Sequence, residues 1–341
     1  MSSCFSQRTD PSMSISDSST AYAVDLAAIQ EAAARIKPYA RRTPVLACQH
    51  LDSLAGRSLS FKCEMFQRVG AFKFRGACNA VLKLNPEVAA RGVVTHSSGN
   101  HAQALALAAS LRGIKAHIVM PRTAPKVKRE AVMGYGGIVS LCEPTLKARH
   151  AMTADVVAAT GAELIPPYDH PDIIAGQGTI ALELLEQVSQ LDAIVVPVGG
   201  GGMLSGIAIA AKALNPAIRI FAAEPSGADD VARSMAAGQL IEQLSPNTIA
   251  DGLLTSLSDI TWSIIKDQVE AVVTVTDEQI IAAMRLIFER MKVVVEPSGA
   301  VALAAVLSDQ FNVMPAMERV GVVLSGGNVD LDRLPWMMTG Q

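Results

Sequence analysis

A lysine between two aromatic residues, in the run Gly70-Ala71-Phe72-Lys73-Phe74-Arg75-Gly76-Ala77, is the first group in this chain with the makings of a nucleophile. An apolar setting lowers the pKa of an ammonium and frees its amine for attack on a carbonyl, although a surface lysine lying over apolar neighbours produces the same pattern. A second run, Val198-Gly199-Gly200-Gly201-Gly202-Met203, sets four glycines between a β-branched stretch and an Ala/Leu-rich one. Backbone N–H groups can converge on an anion there, and a helix start adds positive partial charge, so the run reads as a phosphate cradle. G-x-G-x-x-G fits no register of it, and Ile207 and Ala208 follow Gly206 where a Walker A loop needs Lys and Ser or Thr. The phosphate therefore belongs to some other cofactor, with close strand-to-helix packing as the competing explanation for the glycines. Two polar turns complete the set. In His96-Ser97-Ser98-Gly99-Asn100-His101, Ser98 or Asn100 could simply cap a helix, and Ser325-Gly326-Gly327-Asn328 taken alone is an ordinary turn.

The elements around these runs repeat one scheme. Short β-branched stretches alternate with Ala/Leu-rich helical ones, as in βα units on parallel strands. Val93–Thr95 reads as a strand, Ser97–Asn100 as a turn, Ala102–Leu111 as a helix and Ala116–Met120 as the next strand. Ile194–Val198, the glycines and Leu204–Leu214 repeat the pattern, and Val320–Leu324 empties into the Ser325 turn. Three strand ends thus carry small or polar residues, and ligands of open α/β sheets bind outside the carboxyl ends of strands. The expected organisation is a large domain of residues 21–85 and 166–341, a small domain of 86–165 inserted near Pro166 and Pro167, and a Ser-rich disordered leader over residues 1–20, with an organelle transit peptide as the lesser alternative for that leader.

Composition removes several function classes. Among 341 residues, 29 Lys+Arg stand against 32 Asp+Glu, which leaves no basic excess for a nucleic-acid groove. The five cysteines, Cys4, Cys48, Cys63, Cys78 and Cys142, form no C-x-x-C pair and suit reduced thiols in the cytoplasm. The uncharged stretch Ala193–Ala211 approaches the length of a membrane span, but Pro197 and the four glycines would strand backbone groups in lipid.

Taken together and in this order, the four runs resemble the fold-type II pyridoxal-phosphate enzymes, in the branch of serine racemase, serine/threonine dehydratase and threo-3-hydroxyaspartate ammonia-lyase. The resemblance extends from about Thr43 to Leu331 and includes Thr43-Pro44-Val45, Ala175-Gly176-Gln177-Gly178-Thr179, Glu224-Pro225-Ser226-Gly227-Ala228-Asp229-Asp230 and Glu296-Pro297-Ser298-Gly299-Ala300. It implies an α/β fold of the tryptophan synthase β type, with two open, twisted, mostly parallel sheets covered by helices on both faces. Lys73 would carry pyridoxal 5'-phosphate, Phe72 flank its ring, Asn100 bond its 3'-oxygen, Gly199, Gly200, Gly201, Gly202 and Met203 hold its phosphate, and Ser325 meet its ring nitrogen. A hydroxyl at that nitrogen makes a weaker electron sink than a carboxylate would, which suits elimination of a β-leaving group. Ser98 would be the second acid needed for racemisation, and Ser97, Ser98, Gly99, Asn100, His101 and Arg149 the substrate-binding residues. Glu224, the Ala228 carbonyl and Asp230 match the family's divalent-cation site, suited to Mg2+, Ca2+ or Mn2+. Gln103, Tyr135 and Lys292 match positions where some racemases hold ATP as an effector.

The implied protein is a cytoplasmic homodimer acting on small-molecule amino acids, independent of nucleic acid and membrane. It would racemise serine and dehydrate serine or threonine to a 2-oxo acid and ammonia. A dedicated ammonia-lyase for L-threonine or threo-3-hydroxyaspartate is the alternative, ahead of a β-replacement synthase or a catalytically silent amino-acid sensor. Ala71, where many members have Ser, and Tyr168, where vertebrate-type racemases carry a smaller polar residue, align the chain with microbial and plant members.

Overall fold

The computed structural model describes residues 22–314 and 317–338, so the leader expected at 1–20 and Cys4 lie outside the described residues. Among the described residues, ten strands form two sheets. The larger combines β1 (Val45–Leu46), β2 (Ser58–Cys63), β7 (Ala193–Pro197), β8 (Arg219–Pro225), β9 (Ala271–Val275) and β10 (Arg319–Leu324) in the order β1-β2-β10-β7-β8-β9. All its pairings are parallel except β1 with β2. The smaller is wholly parallel, with β3 (Val93–His96), β4 (Ala116–Pro121), β5 (Gly137–Cys142) and β6 (Glu163–Leu164) in the order β5-β4-β3-β6. Its strands come from one continuous stretch of chain, between β2 and β7.

Parallel strands buried on both faces need no polar alternation, which is why Ala193-Ile194-Val195-Val196-Pro197 is apolar throughout and buried at every position. Successive side chains still leave on opposite faces. Ala193 and Val195 join Phe221, Val273 and the helix Pro297–Val306, while Ile194 and Val196 join Ile220 and the helices Pro171–Gln187 and Gly202–Leu214. The uncharged 193–211 stretch is therefore strand, loop and helix, and no helix among the described residues is long and apolar enough to cross a membrane.

A third apolar cluster fills the small sheet, and it takes in residues from beyond that stretch. Phe74, Ala77 and Val81, on the helix Lys73–Lys83, pack with Val93, Ile118, Met120 and the alanines of the helix Asn100–Arg112. Phe74 is fully buried, a contribution on the order of 2–3 kcal/mol, and it draws the first turn of its helix into the small-sheet core. The opposite side of the same helix meets Pro171–Gln187, where the Gly76 N–H donates to Gln177 Oε1 at 3.1 Å. Lys73 thus begins a helix clamped between the two layers.

Beneath that helix lies a buried ionic cluster. The Arg75 guanidinium meets Glu64 at 2.7 Å and Glu183 at 2.7 Å, and Lys62 Nζ meets Glu183 at 2.7 Å. Lys62, Glu64 and Arg75 are fully buried. Their charges compensate, and the remaining donors of Lys62 go to the Thr43 carbonyl and Gln187.

Candidate active site

The turn before Lys73 runs beside the turn after β10. The Phe72 N–H donates to the Ser325 carbonyl at 3.0 Å, Ala71 bridges Gly326, and the Gly327 N–H donates to the Gly70 carbonyl at 2.9 Å. The turn after β3 joins them through side chains: Asn100 Nδ2 donates to Glu296 Oε1 at 2.8 Å, and Asn328 Nδ2 donates to Asn100 Oδ1 at 2.8 Å. The glycine loop closes the circle. Lys73 Nζ donates to the Pro167 carbonyl at 2.8 Å, and the next residue, Tyr168, stacks on that loop so closely that a β-carbon on Gly200 would overlap its ring. The four runs separated by up to 255 positions in sequence therefore share one site, outside the carboxyl ends of β3, β7 and β10.

The glycine loop answers both explanations offered for it. A β-carbon at Gly200, Gly201 or Gly202 would come closer than 3.0 Å to protein atoms and one at Gly199 would stand at 3.0 Å, so close packing favours glycine along the run. Packing does not, however, use the backbone donors. The N–H groups of Gly199, Gly200 and Gly201 donate to no group among the described residues, and Gly201, with φ +85°, turns the chain into the start of the helix Gly202–Leu214. Unspent donors at a helix N-terminus fit a phosphate.

Electrostatics single out the amine. Burial pushes Lys73 down to about 8, partly opposed by Asp169 and Glu296, and its Nζ stands 5.1 Å from the Phe72 ring centre. Only one of the two flanking aromatics faces it, since Phe74 points into the small-sheet core. Glu296 is itself buried and pushed up to about 8, by burial and by Asp251, against the hydrogen bonds from Asn100 and Asn328. His101 is held neutral: burial and Lys73 push it down to about 3, and its Nε2 lies 3.0 Å from the Ile165 carbonyl.

Ser97, Ser98, Gly99 and Asn100 are all half-buried at the end of β3. The capping role open to Ser98 and Asn100 is not taken: Gly99 is the N-cap, without a side-chain hydrogen bond, and the helix starts at Asn100, two residues earlier than expected. Ser325 is buried directly after β10. Arg149 has a buried Nε without a hydrogen-bond partner, and its charge, with burial and His150, depresses the basicity of His96. The His96 and His150 rings meet edge to face at 5.0 Å.

The Glu224 turn is a separate feature. Both Glu224 oxygens accept N–H groups at the start of the helix Asp230–Ala237, from Val231 and Ala232 at 2.9 Å, and Asp230 Oδ2 accepts the Leu257 N–H at 3.1 Å. Both side chains are buried, and burial is the main cause that pushes Glu224 up to about 8 and Asp230 up to about 6. No three His, Cys, Asp or Glu side chains among the described residues gather as a metal cluster, so a cation here would need the Ala228 carbonyl and water besides the two acids. Two buried carboxylates that resist ionising fit such a cation. Gln103, Tyr135 and Lys292 are not joined by hydrogen bonds: Gln103 is buried, Tyr135 borders the small-sheet core, and Lys292 Nζ donates to the Glu289 carbonyl.

Sequence reasoning assigned no role to Glu296, Asn328 or the Pro167 carbonyl. Glu296 and Asn328 fell inside quoted motifs, and an acid followed by Pro-Ser-Gly was the available signal.

Comparison with known proteins agrees with this geometry. Residues 36–326 match the family model described as pyridoxal-phosphate dependent enzyme. A serine racemase of Arabidopsis thaliana is 57% identical over 92% of this chain and 96% of its own length. A beta-hydroxyaspartate dehydratase of Paracoccus denitrificans is 51% identical over 89% of this chain and 95% of its own. The solved structure of maize serine racemase superposes with a TM-score of 0.91 at 52% identity, covering 93% of this chain and 98% of that one. The glycine loop with its unspent donors, the depressed lysine and these likenesses lead to one conclusion: the chain belongs to the fold-type II pyridoxal-phosphate enzymes, in the serine racemase family.

Proposed function

We propose that this enzyme racemises serine and, at the same site, dehydrates serine or threonine to a 2-oxo acid and ammonia. The observation that carries the reading is the position of Lys73, an amine of depressed basicity at the junction of the glycine loop, the Asn100 turn and the Ser325 turn. Pyridoxal phosphate, held by Lys73, Phe72, Asn100, the Gly199–Met203 loop and Ser325, supplies the electron withdrawal that acidifies the Cα–H bond of a bound amino acid. Lys73 Nζ takes that proton on one side. The Ser98 hydroxyl delivers a proton on the other, which inverts the centre, while Ser97 and the turn's N–H groups orient the substrate carboxylate; His101, neutral and with its one N–H spent on the Ile165 carbonyl, has only an acceptor left and binds no carboxylate. When the β-hydroxyl is protonated instead, it leaves as water, and the unsaturated amine that is released takes up one water to give the 2-oxo acid and ammonia.

Ser98→Ala tests the division of labour. Racemisation should fall about a hundredfold, the scale of one lost acid–base group, with dehydration reduced far less; equal losses would make Ser98 a carboxylate binder. A second reading, an ammonia-lyase for threo-3-hydroxyaspartate, draws on the unpartnered Arg149 Nε, which offers a donor to a second carboxylate. The Glu224–Ala228–Asp230 turn is proposed as the Mg2+, Ca2+ or Mn2+ site, and the assembly as a homodimer in the cytoplasm, supported by the family resemblance and by the free cysteines Cys48, Cys63, Cys78 and Cys142.

A further inference from the structure

Asn100, Glu296 and Asn328 form a closed ring. Asn100 Nδ2 donates to Glu296 Oε1 at 2.8 Å, Asn328 Nδ2 donates to Asn100 Oδ1 at 2.8 Å, and the Asn328 backbone N–H donates to Glu296 Oε2 at 3.1 Å. A side-chain amide has two N–H bonds and one oxygen. Asn328 uses both N–H bonds, the second going to the Val69 carbonyl at 2.6 Å, while Asn100 uses its oxygen and one N–H and keeps one N–H unspent. If the Asn100 amide turned over, its NH2 would face the NH2 of Asn328 and its oxygen would face Glu296. Two half-buried hydrogen bonds would be lost together, so the ring fixes the amide in one orientation.

The anchor of the ring is a strained turn. Val69 holds φ 56°, a left-handed conformation unfavourable to a β-branched residue, and Gly70 follows at φ 70°, where a β-carbon would stand 2.6 Å from Asn328 Oδ1. That turn presents the Val69 carbonyl to Asn328 and runs on into Lys73, so one side chain ties the lysine turn to the orientation of Asn100.

We propose that Asn328 is a positioning residue, which sets the Asn100 amide so that its unspent N–H meets the 3'-oxygen of the cofactor. The proposal rests on the reading of Asn100 as a cofactor contact. It gives Asn328 no contact with substrate or cofactor of its own.

The test is a double-mutant cycle on the cofactor-free protein, read by pyridoxal-phosphate titration and by the visible absorption maximum of the loaded form. Asn100→Ala and Asn328→Ala should each weaken binding by about tenfold, the scale of one hydrogen bond, and shift the maximum in the same direction. Their combination should weaken it little beyond either alone, because both remove the same contact. Asn328→Asp, similar in shape but with an oxygen in place of the NH2, should match Asn328→Ala, and it decides the matter if circular dichroism shows the alanine variant unfolded. Wild-type binding and absorption in the Asn328 variants would overturn the proposal, as would a full hundredfold loss in the double variant. An unaltered Asn100→Ala would instead remove Asn100 from the cofactor site, and the ring's role with it.

Discussion

Beneath the Lys73 helix, two buried cations meet two carboxylates; at the end of β8, two buried carboxylates accept hydrogen bonds from backbone N–H groups. The environments titrate in opposite directions. Burial alone would raise the Glu183 carboxyl, but Arg75 and Lys62 outweigh it and hold it below its usual range, whereas burial prevails at Glu224 and Asp230 and pushes both up. A compensated cluster is finished within the fold and serves to fasten helices. An uncompensated one remains open to a ligand of opposite charge. Lys73 belongs to the second kind, a half-buried amine whose depressed basicity suits bond formation better than ion pairing.

The largest effect should follow from breaking the compensated cluster. Glu64→Gln removes one carboxylate from a fully buried Arg75, which should cost about 3–5 kcal/mol in denaturant unfolding. A loss below about 1 kcal/mol would mean that the cluster is no more than a surface-grade ion pair.

A smaller effect, of opposite logic, belongs to the β8 turn. Glu224 and Asp230 have folded-state pKa values above their ordinary ones, so their contribution to stability is fully present below about pH 4 and is lost as pH rises through about 6 and about 8. The cation proposed for this turn would offset that loss. Chelation should therefore lower the melting temperature by a few degrees at pH 8 and by less at pH 5.5; equal shifts would dissociate the cation from these two acids.

The smallest of the three effects concerns Lys73. Only its neutral form can bond to the cofactor's aldehyde, so capture of pyridoxal phosphate by the cofactor-free protein should quicken about fivefold from pH 7 to pH 8 and less than about twofold from pH 8 to pH 9. A steady tenfold rise per unit through pH 9 would return the lysine to ordinary basicity.

Four of the ten strands among the described residues were legible in the sequence, because buried parallel strands are short apolar runs closed by glycine or polar turns; β1, β2, β5, β6, β8 and β9 were not singled out. The strands at Val93, Ala116, Ile194 and Val320 lie within a residue or so of their expected ends. The four chemical runs were legible for the same reason, each being contiguous. What escaped notice depends on contacts across long stretches of chain. Lys62 and Glu183 are 121 positions apart, Asn100 and Glu296 196, and Val69 and Asn328 259. Neither hydropathy nor turn chemistry carries such pairings. Phe72 and Phe74 show the limit at short range: two flanking aromatics looked equivalent, yet the helix sends one toward the amine and the other into the small-sheet core.

The most direct measurement incubates the pyridoxal-phosphate-loaded protein with L-serine and Mg2+ and quantifies D-serine and pyruvate in the same samples, for the wild type and for Lys73→Ala. D-serine and pyruvate should both accumulate with the wild type and neither with the variant. Pyruvate without D-serine, or turnover by Lys73→Ala, would contradict a racemase that works through Lys73.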